Sequence, residues 1–229
     1  MRSWIVSRPA DLIAVALAVL LACLARPAPQ DAPPAQAAVR PQDASALLAS
    51  FAKMNGLEAA FEEEKQLALL AAPLKSRGRL YFLRPGYLAR VIEAPEPSTL
   101  TITPGELQMS GKDGIERIDL RQRDDVRLFV TSLLQVFLGD ESALKVSFVV
   151  AFESSATDAL GWTLTLTPRG PPLDKLMREL RLQGAGFAVT QIELREPGGD
   201  RTVTRIVKLD AARVFTDAEK TALFGIPPP

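Results

Sequence analysis

The hydrophobic pattern of this chain changes period several times. Between Asp43 and Met54, the apolar residues Leu47, Leu48, Phe51 and Met54 fall at helical spacing. Asp43 stands where an N-cap belongs, and Asn55-Gly56 ends the run. From Leu57 the period becomes two: Leu57, Ala59 and Phe61 alternate with Glu58 and Glu62. The following run, Glu62-Glu63-Glu64-Lys65, reads as a solvated stretch. Gly78 to Arg84 is a further strand, with Leu80, Phe82 and Arg84 on one face and Arg79, Tyr81 and Leu83 on the other. Large apolar groups on both faces predict that both faces are covered. Pro85-Gly86 turns the chain into Tyr87 to Glu93. Ser98 to Thr103 is two-faced, with Leu100 and Ile102 opposite three threonines. Turns at Pro104-Gly105 and Lys112-Asp113-Gly114 flank Leu107 to Ser110.

The alternation breaks between Asp125 and Leu138. Val126, Phe129, Val130, Leu133, Leu134 and Phe137 fall at i, i+3, i+4, i+7, i+8 and i+11, which predicts an amphipathic helix. Asp124 or Asp125 is expected to cap it and Gly139 to stop it. Its Phe and Leu stripe needs an apolar partner. Alternation then resumes at Val146, Phe148, Val150 and Phe152, and again at Trp162, Leu164 and Leu166, set against Thr163, Thr165 and Thr167. Leu173 to Met177 reads as a short helical turn and Leu180 to Leu182 as a strand. Gln191 to Glu196 and Arg201 to Leu209 flank Pro197-Gly198-Gly199-Asp200, a hairpin signal. Thr216 and Glu219 are spaced as a capping box for a terminal helix. No repeat of fixed period is present.

Composition narrows the function. Lys+Arg and Asp+Glu are both 27, so the basic excess of a nucleic-acid binder is missing. With no histidine in the chain, a Ser-His-Asp or Cys-His unit and a His-ligated zinc site are excluded. The acidic pairs Asp124/Asp125 and Asp113/Glu116 read as a helix cap and a turn, and neither catalysis nor a cofactor is expected.

Residues 1–37 read as an export signal with a Pro/Ala-rich linker, and 38–229 as a single domain. Arg2 and Arg8 precede an apolar run from Leu12 to Ala25, too short for a comfortable membrane span, and Ala35-Gln36-Ala37 offers a cleavage site. Cleavage there places the product in the periplasm. The single cysteine, Cys23, admits two readings. It is a small hydrophobe inside an ordinary signal, or, because Leu20-Leu21-Ala22-Cys23 resembles a lipobox, it is a lipidation site that leaves the Pro/Ala stretch as a tether.

The stretch Ser76 to Leu107 resembles the periplasmic outer-membrane lipoprotein carriers, the LolA-like family. The shared features are the strand Gly78-Arg79-Leu80-Tyr81-Phe82, the basic-Pro step Arg84-Pro85 and the Pro-rich turn Ala94-Pro95-Glu96-Pro97. The family order continues through a leading helix, a lid helix, the strand Trp162 to Pro168, a hairpin and the tail Phe224 to Pro228, covering about residues 43–228. Val91, where the family carries an aromatic, and Pro104-Gly105, where it carries Asp-Gly, mark a divergent branch.

The resemblance implies an α+β fold: a strongly curved antiparallel β-sheet, an unclosed barrel, with helices covering its concave face. It implies a monomeric periplasmic carrier for a lipoprotein or other acylated lipid, with an inner-membrane donor and an outer-membrane acceptor. The expected cavity is lined by Leu80, Phe82, Leu100, Ile102, Phe148 and Trp162 and closed by Phe129, Val130, Leu133, Leu134 and Phe137. Arg84 is either a latch bonded to the lid, as the resemblance implies, or a strand-end arginine reaching water; Arg90 is a weaker latch candidate. A lipidated Cys23 would instead make the same fold a membrane-anchored lipid receptor or sensor.

Overall fold

In the computed structural model, residues 40–228 are described; the export-signal reading of 1–37 lies outside them. The helix α1 (Ala44–Ala52) is followed by six strands, β1 (Gly56–Gln66), β2 (Leu74–Leu83), β3 (Tyr87–Ala94), β4 (Ser98–Ile102), β5 (Glu106–Gly111) and β6 (Gly114–Asp119). Two helices come next, α2 (Asp124–Leu138) and α3 (Glu141–Ser147). Five more strands follow, β7 (Phe148–Ser154), β8 (Gly161–Pro168), β9 (Glu179–Ala185), β10 (Ala188–Arg195) and β11 (Arg201–Asp210), and then α4 (Asp217–Phe224).

All eleven strands form one antiparallel sheet in the order β6-β5-β4-β3-β2-β1-β11-β10-β9-β8-β7. Two meanders are thus joined where β1 pairs with β11. The sheet does not close: β6 and β7 are its edges, and the chain between those edges is α2 and α3. A segment that joins the two edges of a curved sheet is placed to cover its concave face. The result is the α+β unclosed barrel that the sequence implied.

Alternation sorts the faces. Trp162, Leu164 and Leu166 of β8 are buried between part-exposed threonines, and Leu57, Ala59 and Phe61 do the same on β1. The two-faced reading of β2 holds as well. Leu80 and Phe82 enter the main core. Tyr81 and Leu83 pack with Tyr87, Ala89, Phe215 and Phe224 in a second cluster under α4. That helix carries the predicted capping box, Thr216 with Glu219, and Asp43 caps α1 by accepting from the Ala46 N–H at 2.8 Å.

Three local expectations are corrected. The N-cap of α2 is Arg123, without a side-chain cap bond. Asp124 and Asp125 lie inside the first turn, where a carboxylate is favoured by the helix dipole, and the Arg123 guanidinium grips Asp125 at 3.0 Å. Val146 belongs to α3, started by the Asp140 side chain accepting from Ala143 N–H at 2.9 Å, so the strand begins only at Phe148. Finally, Glu62-Glu63-Glu64-Lys65 is strand β1, and Glu63 within it is buried.

Close approach requires glycine at several positions, Gly139 and Gly184 among them. Gly139, which ends α2 at φ 68°, meets the α1 backbone at Leu48 and Ala52, where a Cβ would collide. Gly184 leaves its space to the Trp162 ring, whose Nε1–H donates to the Gly186 carbonyl at 2.7 Å.

Candidate functional site

The predicted lining residues come together. From the sheet, Leu80, Phe82, Leu100, Ile102, Phe148 and Trp162 join one contiguous buried cluster; from α2, so do Phe129, Val130, Leu133, Leu134 and Phe137. The meeting is direct, since the Phe82 and Phe137 rings stack with centroids 5.2 Å apart and planes 24° apart. Every one of these side chains is at most 8% exposed. The interior is therefore filled by side chains of α2. Burying two phenylalanines and three aliphatic side chains from α2 contributes about 2 kcal/mol each to holding it there.

Arg84 shares the inner face with Leu80 and Phe82, as alternation requires, but it reaches α1 rather than α2. Its Nε donates to the Met54 carbonyl at 3.0 Å, and its Nη2 to the Ala52 and Phe51 carbonyls at 2.9 and 3.3 Å. Its backbone N–H donates to Asn55 O at 2.9 Å. These are carbonyls at the end of α1, where the last turn has no helical partner and the dipole is negative. Arg84 thus fixes α1 to the sheet, and α1 packs against α2 at Gly139. Arg84→Leu is expected to lower stability by roughly 2–3 kcal/mol and to free α1 selectively. Amide exchange should rise across residues 44–54 well before it rises in β1 and β2. A uniform rise over the whole sheet would make Arg84 an ordinary strand-end contact.

Sequence reasoning singled out Arg84 and, as a weaker latch, Arg90, but missed the polar groups beside Arg90, which bonds Glu63 and not the helix. Successive rows across the sheet carry Leu57, Phe82, Leu88 and Ile102, then Ala59, Leu80, Arg90 and Leu100, then Phe61, Gly78, Ile92 and Ser98, and then, towards the end where β1 gives way to β2, Glu63, Ser76 and Thr204. Arg90 lies over the Phe61 ring at 4.7 Å and donates from Nη2 to Glu63 at 2.7 Å. The Thr204 hydroxyl donates to the second Glu63 oxygen at 2.8 Å, and the Ser76 hydroxyl contacts the first at 3.4 Å. One row further out, Lys65 pairs with Glu196 at 3.4 Å beside Thr202. Burial pulls the Arg90 guanidinium below its usual value, opposed by Glu63. Burial likewise pushes the Glu196 carboxyl up. The signal was present in the sequence: Glu63 is in phase with Leu57, Ala59 and Phe61, and Arg90 with Leu88 and Ile92.

The same end of the sheet carries an uncharged loop, residues 67–73, in which Leu69 is 96% exposed. A groove of about 460 Å³ also opens there, lined by Glu62, Glu63, Glu64, Lys75, Ser76, Arg77, Ala94, Pro95 and Arg205. Its lining is polar and shares no residue with the predicted apolar site.

Fold and interior together define a class: an unclosed antiparallel barrel whose apolar inner face is covered by its own helices. A family model described as outer membrane lipoprotein carrier protein LolA-like matches residues 35–224. The chain belongs to that family. No curated protein matches the sequence. Among solved structures, a DUF1329 family protein from Desulfovibrio piger is 12% identical with a TM-score of 0.46, covering 79% of this chain and 96% of its own. A LolA superfamily protein from Nitrosomonas europaea is 12% identical with a TM-score of 0.41, covering 77% and 96%. The lipoprotein LppX of Mycobacterium tuberculosis is 12% identical with a TM-score of 0.41, covering 75% and 98%. No helix among the described residues is long and apolar enough to cross a membrane.

Proposed function

We propose that this protein is an exported carrier that takes the acyl chains of a lipoprotein or related lipid into its barrel and passes them from an inner-membrane donor towards an outer-membrane acceptor. The observation that carries the reading is the shared apolar cluster between sheet and α2, with Phe82 stacked on Phe137. An acyl chain gains about 0.8 kcal/mol per CH₂ on leaving water. Acyl chains entering the barrel displace the α2 side chains, and apolar surface is exchanged for apolar surface. The net change is small, so cargo is held firmly enough to cross water and loosely enough to be given up. The loop of residues 67–73 offers the exposed Leu69 and Leu70 to a membrane at the moment of transfer.

The chain has two tryptophans, Trp4 in the leader and Trp162 in the chamber wall. In the processed protein, Trp162 fluorescence therefore reports on the interior alone. Titration with a diacylated lipopeptide brominated on its acyl chains is expected to quench Trp162, and mass spectrometry of the purified protein to find bound acyl lipid. Saturating lipopeptide that neither quenches Trp162 nor shifts the melting temperature would overturn the carrier reading.

A further inference from the structure

The charges on the outer face of the sheet are of two kinds. Away from the groove they pair tightly. Arg79 donates to Glu58 at 2.7 Å and to Glu93 at 3.0 Å, and Arg195 and Arg201 donate to Glu193 at 2.7 and 2.8 Å. At the groove they do not. Strand register sets Glu62 of β1 directly between Arg205 of β11 and Arg77 of β2, and opposite charges placed so across a ladder ordinarily pair. Among the described residues the ion pairs at the groove are only Lys75 with Glu64 at 3.4 Å and Arg205 with Glu64 at 3.8 Å. Glu62 and Arg77 enter none.

The groove, of about 460 Å³, is the space that these side chains leave between them. The register shift between Arg77 and Gly78 leaves Glu93 as an extra residue on β3, a bulge of the kind that bends a strand. Ala94 and Pro95, just beyond it, form one wall. Lys75, Arg77 and Arg205 stand in the groove with Glu62 and Glu64, an excess of one positive charge. The remaining carboxylate, Glu63, turns inward to Arg90. Along the middle row the order Arg205, Glu62, Arg77 is positive, negative, positive. A lone phosphate at its centre would face Glu62. An extended peptide avoids that clash, because its side chains on one face recur about every 6.8 Å. An acidic-x-basic-x-acidic segment offers an opposite charge to each member of the row. Its two acidic groups, about 13 Å apart, fall within reach of two arginines whose strands lie about 10 Å apart.

We propose that this groove is a docking site for an extended, predominantly acidic segment of a partner polypeptide. Arg77, Glu62 and Arg205 read the acidic-x-basic-x-acidic pattern, and Lys75 adds to the positive field. The site lies on the face opposite Leu57, Ala59 and Phe61, so a partner held there leaves the inside of the barrel untouched. The proposal stands apart from the carrier reading, since it needs neither acyl cargo nor movement of α2.

Fluorescence anisotropy of the processed protein with labelled synthetic peptides tests it. Each peptide carries one motif in a glycine-serine background: Glu-Ser-Lys-Ser-Glu, or its sign-reversed form Lys-Ser-Glu-Ser-Lys. At low salt the first is expected to bind about tenfold more tightly, the scale of several exposed charge pairs acting together, and to lose most of that affinity at about 0.3 M salt. Arg77→Gln with Arg205→Gln should bring the two peptides to within about twofold of each other. Glu62→Lys should make Glu-Ser-Glu-Ser-Glu the tightest ligand, by about threefold. Arg79→Gln removes a cation of the same face outside the groove and should leave the preference within about twofold. All four positions are exposed, so the variants keep the fold. Equal binding of the two peptides by wild type overturns the proposal, as does a preference that survives the double replacement. Absence of all peptide binding overturns it too. If sedimentation with phosphatidylglycerol vesicles then depends on Arg77 and Arg205, the face belongs to anionic lipid instead.

Discussion

Phe137→Ala is expected to cost the unliganded protein about 3–5 kcal/mol and, at the same time, to increase its stabilisation by acyl ligand. The loss follows from position. Phe137 is 3% exposed and its ring stacks on Phe82 at 5.2 Å. Truncation removes the transfer energy of a ring and leaves a cavity between α2 and sheet. For a domain of this size the melting temperature should fall by roughly 10 °C. The gain follows from competition. In a barrel that plugs itself, ligand binds only by displacing the plug, so apparent affinity is intrinsic affinity reduced by the cost of displacement. A weaker plug lowers that cost, and an acyl chain fills the vacated space. Calorimetry with and without a diacylated lipopeptide should therefore show a larger ligand-induced shift for the variant than for wild type. If the shift is equal or smaller, Phe137 is core and nothing more, and α2 is not a displaceable plug.

How far the sequence alone carried these conclusions differs from element to element. The α2 stripe and the alternation of β8 were legible because each buries one face only, and a one-sided burden leaves a clear period. The double coverage of β2 was legible for the complementary reason, since both of its faces are large and apolar. The helix α3 was hidden. It has seven residues, its apolar content is small, and Val146 happens to fall in phase with Phe148 and Val150 across the helix–strand junction. Arg84 was placed on its correct face, but its partner was not readable, because the carbonyls of Phe51, Ala52 and Met54 reach it only through the packing of α1 on the sheet. Glu63 was misread for a different reason. Flanked by Glu62 and Glu64, it looks like part of a charged run, yet strand period sends alternate members of such a run to opposite faces. Its partner Arg90 lies 27 positions away and is brought to it by β2 intervening between β1 and β3. Local pattern carries face but not partnership, and the polar part of the site consists of partnerships.

That partnership sets the second large effect. Arg90→Met should destabilise the protein by about 3–5 kcal/mol, because it strands the Glu63 carboxylate in a buried position with only hydroxyls to satisfy it. Glu63→Met should cost a similar amount by leaving Arg90 uncompensated over the Phe61 ring. The double replacement should cost far less than the sum, and close to nothing if methionine fills the volume, since the desolvation penalty of both charges disappears with them. Chemical denaturation of the four proteins checks the cycle, with a coupling of about 3 kcal/mol or more expected. Additive losses would mean that the two side chains act independently and that the 2.7 Å contact is not a buried pair of consequence. A double variant as stable as wild type would show that the pair is not kept for stability.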